Sequence, residues 1–389
     1  MKKIANQRIY QLVLFSLLLG VILSCSKIDH DELTLLPEPS RLIDYGSIPV
    51  PVESHSEFAS NEFQMAAYQN HFVFVATSDG LWKNNLLTNQ WSRSGFAGQK
   101  VSCIFSHPTL KNKLFAGVVP AENTGEKSLF ISNDGGASWT AAKSPIYDEL
   151  DNQYETYVSL AVRPNHPDHI YANLEGGTMI AVSTDGGLTW QRMNHEKYSY
   201  FGYRSNIAFL PDNPNQLFQG SENPLDDAWL GRYDIDAADP VVLTNFTKVV
   251  DRHVFGNRRP VELQAHAYTG NSLYVGQEGA LSKVTGTTAQ FIFKAEEDNP
   301  QFPYAYIYGI WIDPKDTNHI LFGGAVNGEQ TSVSLFETFD EGKESKQVIV
   351  NASLATAQVS KILATDTYPA IVLYDPTTER IRLFLYKST

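Results

Sequence analysis

The chain has 389 residues, with 43 Asp and Glu against 30 Lys and Arg and a formal net charge of −13. That balance excludes nucleic acid and anionic membrane surfaces as electrostatic partners. Tyr (19) and Phe (21) are abundant and Met (4) is scarce, which favours strands over helices, and the length suits one large all-β domain or two ordinary ones.

The N-terminus reads as a targeting segment. Lys2, Lys3 and Arg8 form a basic region, and Leu12 to Leu23 is mostly apolar but short for a spanning helix. Leu23-Ser24-Cys25 follows and resembles a bacterial lipobox, which implies lipidation at Cys25 and a signal peptide over 1–24. Losing that segment removes three positive charges and no acid, leaving 27 basic against 43 acidic residues, a charge of −16. The acidic stretch Ser26-Lys27-Ile28-Asp29-His30-Asp31-Glu32 partly resembles the surface-export signals of Bacteroidota lipoproteins. An outer-membrane lipoprotein exposed at the cell surface is the expectation, with the periplasmic side as the alternative. Residues 25–54 are rich in Pro and charge without a sustained period, and read as the lipidated Cys and its flexible tether. Only Cys103 remains after lipidation; inside Val101-Ser102-Cys103-Ile104-Phe105 it reads as a small buried apolar residue. The chain lacks Cys/His spacing of the zinc kind, so neither metal nor cofactor is expected.

From about residue 55 to 389 a unit recurs: strand, Pro-bearing turn, strand, Gly turn, hairpin. Its second strands are the clearest sign: Phe72–Ala76, Leu114–Gly117, Ile170–Asn173, Leu217–Gly220, Leu273–Gly276, Ile320–Gly323 and Ala370–Leu373. The spacing, roughly 40 to 56 residues, is that of propeller blades. The expected fold is all-β, a single seven-bladed β-propeller. The termini complete one blade together, with Phe58–Met65 or Arg380–Tyr386 as candidates for the closing strand.

Two hairpins carry the same turn: Ser132-Asn133-Asp134-Gly135-Gly136-Ala137-Ser138-Trp139 and Ser183-Thr184-Asp185-Gly186-Gly187-Leu188-Thr189-Trp190. The Asp accepts backbone N–H bonds and the glycines supply positive φ. The pattern resembles the Asp-box, or BNR, repeat of β-propellers such as sialidases, xyloglucanase-type hydrolases, the sortilin ectodomain and photosystem assembly factors. In those families the turn lies away from the ligand face, so the resemblance implies structural roles for Asp134, Trp139, Asp185 and Trp190. Gly80-Leu81-Trp82-Lys83 with Trp91, and Ser334 to Gly342, read as worn copies.

Propeller ligands gather where loops enter the innermost strands and where second strands turn into third ones. Acids recur at the latter turns, at Asp79, Glu175, Glu222 and Glu278, as either an acidic crown or ordinary hairpin chemistry. The entry loops hold Tyr203 and Arg204, then Arg258 and Arg259 leading to Glu262, then Tyr304, Tyr306 and Tyr308; blade four adds Trp229 in an insertion. Aromatic faces suit sugar rings, and Arg forks carboxylates. Tyr203, Arg204, Glu222, Trp229, Arg258, Arg259, Glu278 and Tyr306 are the candidate ligand-binding residues. No catalytic set is assigned, because the arginines and Tyr–Glu pair of sialidases cannot be placed and nucleophile-elbow and phosphate-loop motifs are missing. The expected function is a cell-envelope lipoprotein binding a glycan or a protein partner without catalysis. The alternative is a carbohydrate-active enzyme, a sialidase-like or other glycosidase or a polysaccharide lyase.

Overall fold

The computed structural model describes residues 41–50, 64–120, 126–143, 145–148, 153–175, 180–193, 203–223, 227–255, 258, 260–265, 270–295, 305–326, 334–348, 352–354 and 356–387. Cys25 and the lipobox lie outside them.

Seven antiparallel sheets of four strands make seven blades. Blade one is Ala66–Gln69, Phe72–Thr77, Gly80–Asn85 and Gln90–Gly95. Blade two is Val101–Ser106, Leu114–Val118, Leu129–Ser132 and Thr140–Ala141. Blade three is Tyr157–Val162, Ile170–Leu174, Ile180–Ser183 and Gln191–Arg192. Blade four is Tyr203–Leu210, Asn213–Asn223, Asp227–Ile235 and Leu243–Val250. Blade five is Pro260–Ala265, Ser272–Gln277, Ala280–Thr285 and Thr288–Lys294. Blade six is Ala305–Ile312, Ile320–Val326, Leu335–Thr338 and Lys346–Gln347. Blade seven is Gln358–Leu363, Ala370–Asp375 and Arg380–Tyr386, with Leu42–Pro49 as its outermost strand. The innermost strand of each blade contacts that of the next, and blade seven's contacts blade one's, so the ring closes. The fold is a seven-bladed β-propeller.

Blade-to-blade packing is the core. Phe115, Tyr157, Leu160 and Trp190 fill the joint between blades two and three, and Tyr274, Phe293, Phe322 and Phe336 that between five and six. A sheet buried on both faces needs near-continuous apolar runs, which the second strands have: Leu114–Val118 and Ser272–Gln277 are buried throughout.

The closing strand is not one of those expected. Leu42–Pro49 falls in the segment read as tether, yet it pairs antiparallel with Arg380–Tyr386, from Leu42 opposite Tyr386 to Pro49 opposite Arg380. The propeller therefore starts before residue 55, and Arg380–Tyr386 is the third strand of its blade. A register shift between Asp44 and Ser47, with Gly46 at φ +76°, breaks the alternation that marks a strand in sequence. Of Phe58–Met65, only Gln64 and Met65 lie among the described residues.

Register divides the ring into two faces. Tyr157 opposite Leu174, and Pro260 opposite Gln277, place the start of each innermost strand beside the end of the second. Entry loops and second-to-third turns thus share one face, here called the entry face. The Pro-bearing turns and outer hairpins share the other.

On that other face the Ser-x-Asp-x-Gly turns join neighbouring blades. Asp134 Oδ1 accepts the Ala137 and Ser138 N–H groups at 3.0 and 2.9 Å, and Ser132 Oγ accepts the Gly136 N–H at 2.8 Å. Asp185 and Ser183 repeat this with Leu188, Thr189 and Gly187. A third turn has the same geometry: Thr338 Oγ1 accepts from Gly342 at 2.9 Å, and Asp340 Oδ1 from Glu344 at 3.0 Å. The copy that reads as worn has lost its Trp but kept its Thr, Asp and Gly. In all three, the residue after the Asp donates to a carbonyl two residues before its blade's second strand: Gly135 to Asn112, Gly186 to Asp168 and Glu341 to Asn318. The following glycine abuts the preceding blade. A Cβ on Gly136 would lie 2.8 Å from Ser94 Oγ and 2.9 Å from the Phe74 ring. The turn therefore needs Gly for close approach as well as for its φ of +76°.

Candidate functional site

The described entry face brings one group of predicted residues together, between blades five and six. Glu278 follows the second strand of blade five and forms an isolated antiparallel bridge with Tyr306, at the start of blade six. Tyr306 Oη donates to Glu278 Oε1 at 3.2 Å. Arg258 Nη1 donates to the carbonyls of Glu278 and Gly279, both at 3.2 Å, and Gln277 Nε2 returns a bond to the Arg258 carbonyl. The one-turn helix Arg252–Phe255 delivers Arg258 here; Phe255 is fully buried, which pins that turn. Tyr306 stacks on Tyr308, with ring centroids 5.7 Å apart and 11° between planes. Both pack against Val261 of blade five and Ala325 of blade six. The result is a paired-ring wall with a carboxylate and a guanidinium beside it.

The other candidates divide. Tyr203 opposes Glu222 and Arg204 opposes Ser221 at the entry edge of blade four, so register places three predicted residues there. Arg259 lies outside the described residues. Trp229 opposes Ser221 but is only 3% exposed, edge-on to Phe246, so its ring is packing rather than an accessible platform.

Charge inside the ring is neutralised in place. Glu262, to which the Arg258–Arg259 loop leads, is buried and paired with Lys361 Nζ at 2.5 Å. Burial pushes its carboxyl up, and Lys361 pulls in the opposite sense. Lys361 belongs to blade seven, so the pair spans blade six. Gly309 makes room: a Cβ there would lie 2.6 Å from Ile362 Cγ1 and 2.8 Å from the Ile362 nitrogen. On the far side, Gln64 accepts from Ile104 of blade two through its carbonyl and donates its N–H to Val158 of blade three. Its side-chain oxygen accepts from Leu160 at 3.3 Å.

Of the recurrent turn acids, Asp79 organises its own loop. It accepts Arg93 Nη2 at 2.8 Å and the Gly98 N–H at 3.1 Å, and the Arg93 bond holds its carboxyl below the usual range. Among the described residues no cluster of three or more His, Cys, Asp or Glu is arranged to hold a metal ion. Tyr308 joins the Glu278–Tyr306 cluster without being one of the sequence candidates, although it stands in the run Tyr304-Ala305-Tyr306-Ile307-Tyr308.

No protein-family profile and no curated protein matches the chain. Solved structures do. A GH74 enzyme from Niastella koreensis superposes with a TM-score of 0.59 at 14% identity, over 90% of this chain and 53% of that one. The chain thus spans about half the length of that enzyme. YCF48 bound to D1 peptide gives 0.54 at 12% identity, over 90% and 97% of the two chains. A chain of the mitotic checkpoint complex gives 0.57 at 11% identity, over 93% and 98%. The likeness is one of fold. It places the chain among β-propellers and leaves its chemistry to its own residues.

Proposed function

We propose that the chain is a cell-envelope lipoprotein whose Asp-box-type propeller binds a glycan or a protein partner on its entry face without chemically altering it. The observation that carries this reading is the cluster of Arg258, Glu278, Tyr306 and Tyr308 at the joint of blades five and six. The Tyr306 ring, half-buried and backed by the buried Tyr308 ring, gives an apolar surface, and the Glu278 carboxylate beside it gives a hydrogen-bond acceptor. Arg258 acts as a positioning residue, since its guanidinium holds the turn that presents Glu278. The same joint is built from two blades, which gives a binding surface a rigid base. Lipidation at Cys25 supplies the membrane attachment, and outward display from the outer membrane fits the acidic residues after it.

The test is mass spectrometry of the purified full chain in detergent with neutral, sialylated and uronic-acid oligosaccharides and with peptides. The proposal expects a retained complex with unchanged ligand mass, weakened by Tyr306→Phe or Glu278→Gln. New product masses would make the protein an enzyme, and a gain of water would separate hydrolase from lyase. Binding that ignores both substitutions would move the site elsewhere.

A further inference from the structure

One element on the entry face serves no blade. Tyr147–Asp148 and Gln153–Tyr154 form a two-stranded antiparallel sheet in the loop that leads into blade three, the one such sheet outside the blades among the described residues. It is firmly based. The Ile146 N–H donates to the Tyr157 hydroxyl at 3.0 Å, and the Glu155 N–H donates back to the Ile146 carbonyl at 2.9 Å. Tyr157 is fully buried, edge-on to Trp190 of its own blade. A strand pair anchored in the blade core in this way sets where Tyr147 and Tyr154 stand.

Those side chains are two tyrosines facing each other. Their rings meet edge to face, with centroids 5.0 Å apart and 72° between planes. Lys127, from the second-to-third turn of blade two, sits over the Tyr154 ring at 4.7 Å while donating to the Lys143 carbonyl at 3.1 Å. Tyr154 is therefore held from one side, and Tyr147, against its ring edge to face, is 39% exposed at the rim. The flanking charge is already compensated: Arg192 pairs with Glu155 at 2.8 Å.

We propose that Tyr147, braced by Tyr154, is a sugar-stacking subsite for a neutral pyranose chain whose equatorial hydroxyls leave an apolar C–H face. Three observations select that ligand. An exposed ring on an anchored strand pair matches the flat apolar face of a sugar, with polar groups at its edge. Lys127 is engaged by a carbonyl and a ring face and Arg192 by a carboxylate, so neither is set to select an acidic sugar. A protein partner would call for a broad apolar patch. Of the seven exposed large apolar side chains described, only Tyr147 and Val254 belong to loops entering an innermost strand. The subsite rests on reading the entry face as the binding face, and it lies on different blades from the Tyr306 cluster.

Isothermal titration of the purified full chain with cellohexaose tests it, with hexagalacturonate as the acidic comparison. Tyr147→Ala should weaken cellohexaose binding roughly tenfold, the scale of one lost aromatic contact, with an unchanged melting temperature. Tyr147→Phe should bind like the parent, because the ring face and not the hydroxyl makes the contact. Unchanged affinity in Tyr147→Ala, tighter binding of the uronate, or no cellohexaose binding at all overturns the subsite. Tyr306→Phe run in parallel separates the two readings. A loss there with none at Tyr147 leaves the proposed function standing without the subsite, and the reverse moves the glycan site to blade three.

Discussion

Five turn carboxylates, at Asp79, Asp134, Asp185, Asp340 and Asp375, sit below the usual carboxylate range. Hydrogen bonds from Ser138 do this for Asp134, and the Glu344 N–H leads for Asp340. For Asp185 and Asp375 burial pushes upward, but bonds from Thr189, and from Thr377 and Thr378, outweigh it. A carboxyl depressed in the folded state stabilises it above the unfolded value, about pH 4, and that stability is lost as pH falls through the folded value. Glu262 works in the opposite sense, since its raised carboxyl binds a proton more readily in the folded chain. With five depressed carboxyls against one raised, the melting temperature should fall steadily below about pH 4. Asp185→Asn should lower the plateau near neutrality and flatten that acid limb; an acid limb of unchanged slope would deny the turn its electrostatic role. The Asp and the glycines of these turns were legible in sequence, because a local motif makes local bonds. The third copy was less so, since Glu341 replaces its first glycine at φ +58° and no Trp follows. Its side chain pairs with Lys283 of blade five, a contact that only the ring arrangement creates.

At the scale of elements, the closing strand depends on one buried carboxylate. Glu337 of blade six, 5% exposed, accepts Arg41 Nη1 at 2.7 Å, His319 Nε2 at 2.9 Å and Tyr386 Oη at 2.8 Å. Arg41 directly precedes the strand Leu42–Pro49, and Tyr386 lies on its partner strand. Burial, then the bond to Glu337, pushes the Tyr386 hydroxyl up, so it stays a donor. Glu337→Ala would strip two buried donors, His319 and Tyr386, and the half-buried Arg41 of their acceptor and should cost about 3 kcal/mol. Limited proteolysis should then cut near residue 41 first. Loss of stability without earlier cleavage there would mean that the carboxylate supports blade six and not the closure. Sequence indicated all seven second strands, because each is a short apolar run after a turn. It did not indicate Leu42–Pro49, whose pairing spans more than 330 residues and whose alternation is broken at Gly46. The same reason hid the site's geometry. Tyr306 and Glu278 were each visible as loop residues, but their bridge exists only once blade five lies against blade six.

For the whole molecule, the two faces differ in kind. The hairpin face is built from repeated, self-satisfying turns that lock one blade to the next: His107 Nε2 meets the Pro167 carbonyl at 2.8 Å, and Arg163 Nε donates to that of Pro214 at 3.0 Å. The entry face departs from the repeat, with a one-turn helix before blade five, a paired-ring wall at blade six and an added hairpin before blade three. Between them the Glu262–Lys361 pair links blades five and seven, and Gln64 bonds to blades two and three, so blades are tied by these contacts as well as by sheet packing. A rigid repeat on one side and irregular aromatic loops on the other is how a propeller gives a binding surface a firm base. The measurement that tests this most directly is hydrogen–deuterium exchange of the purified full chain with and without the oligosaccharide or peptide it retains. Binding on the entry face predicts added protection at Pro260–Ala265, Gln277–Ala280 and Ala305–Ile312, with none at the turns around Asp134, Asp185 and Asp340. Protection confined to those turns would contradict it and put the ligand on the hairpin face.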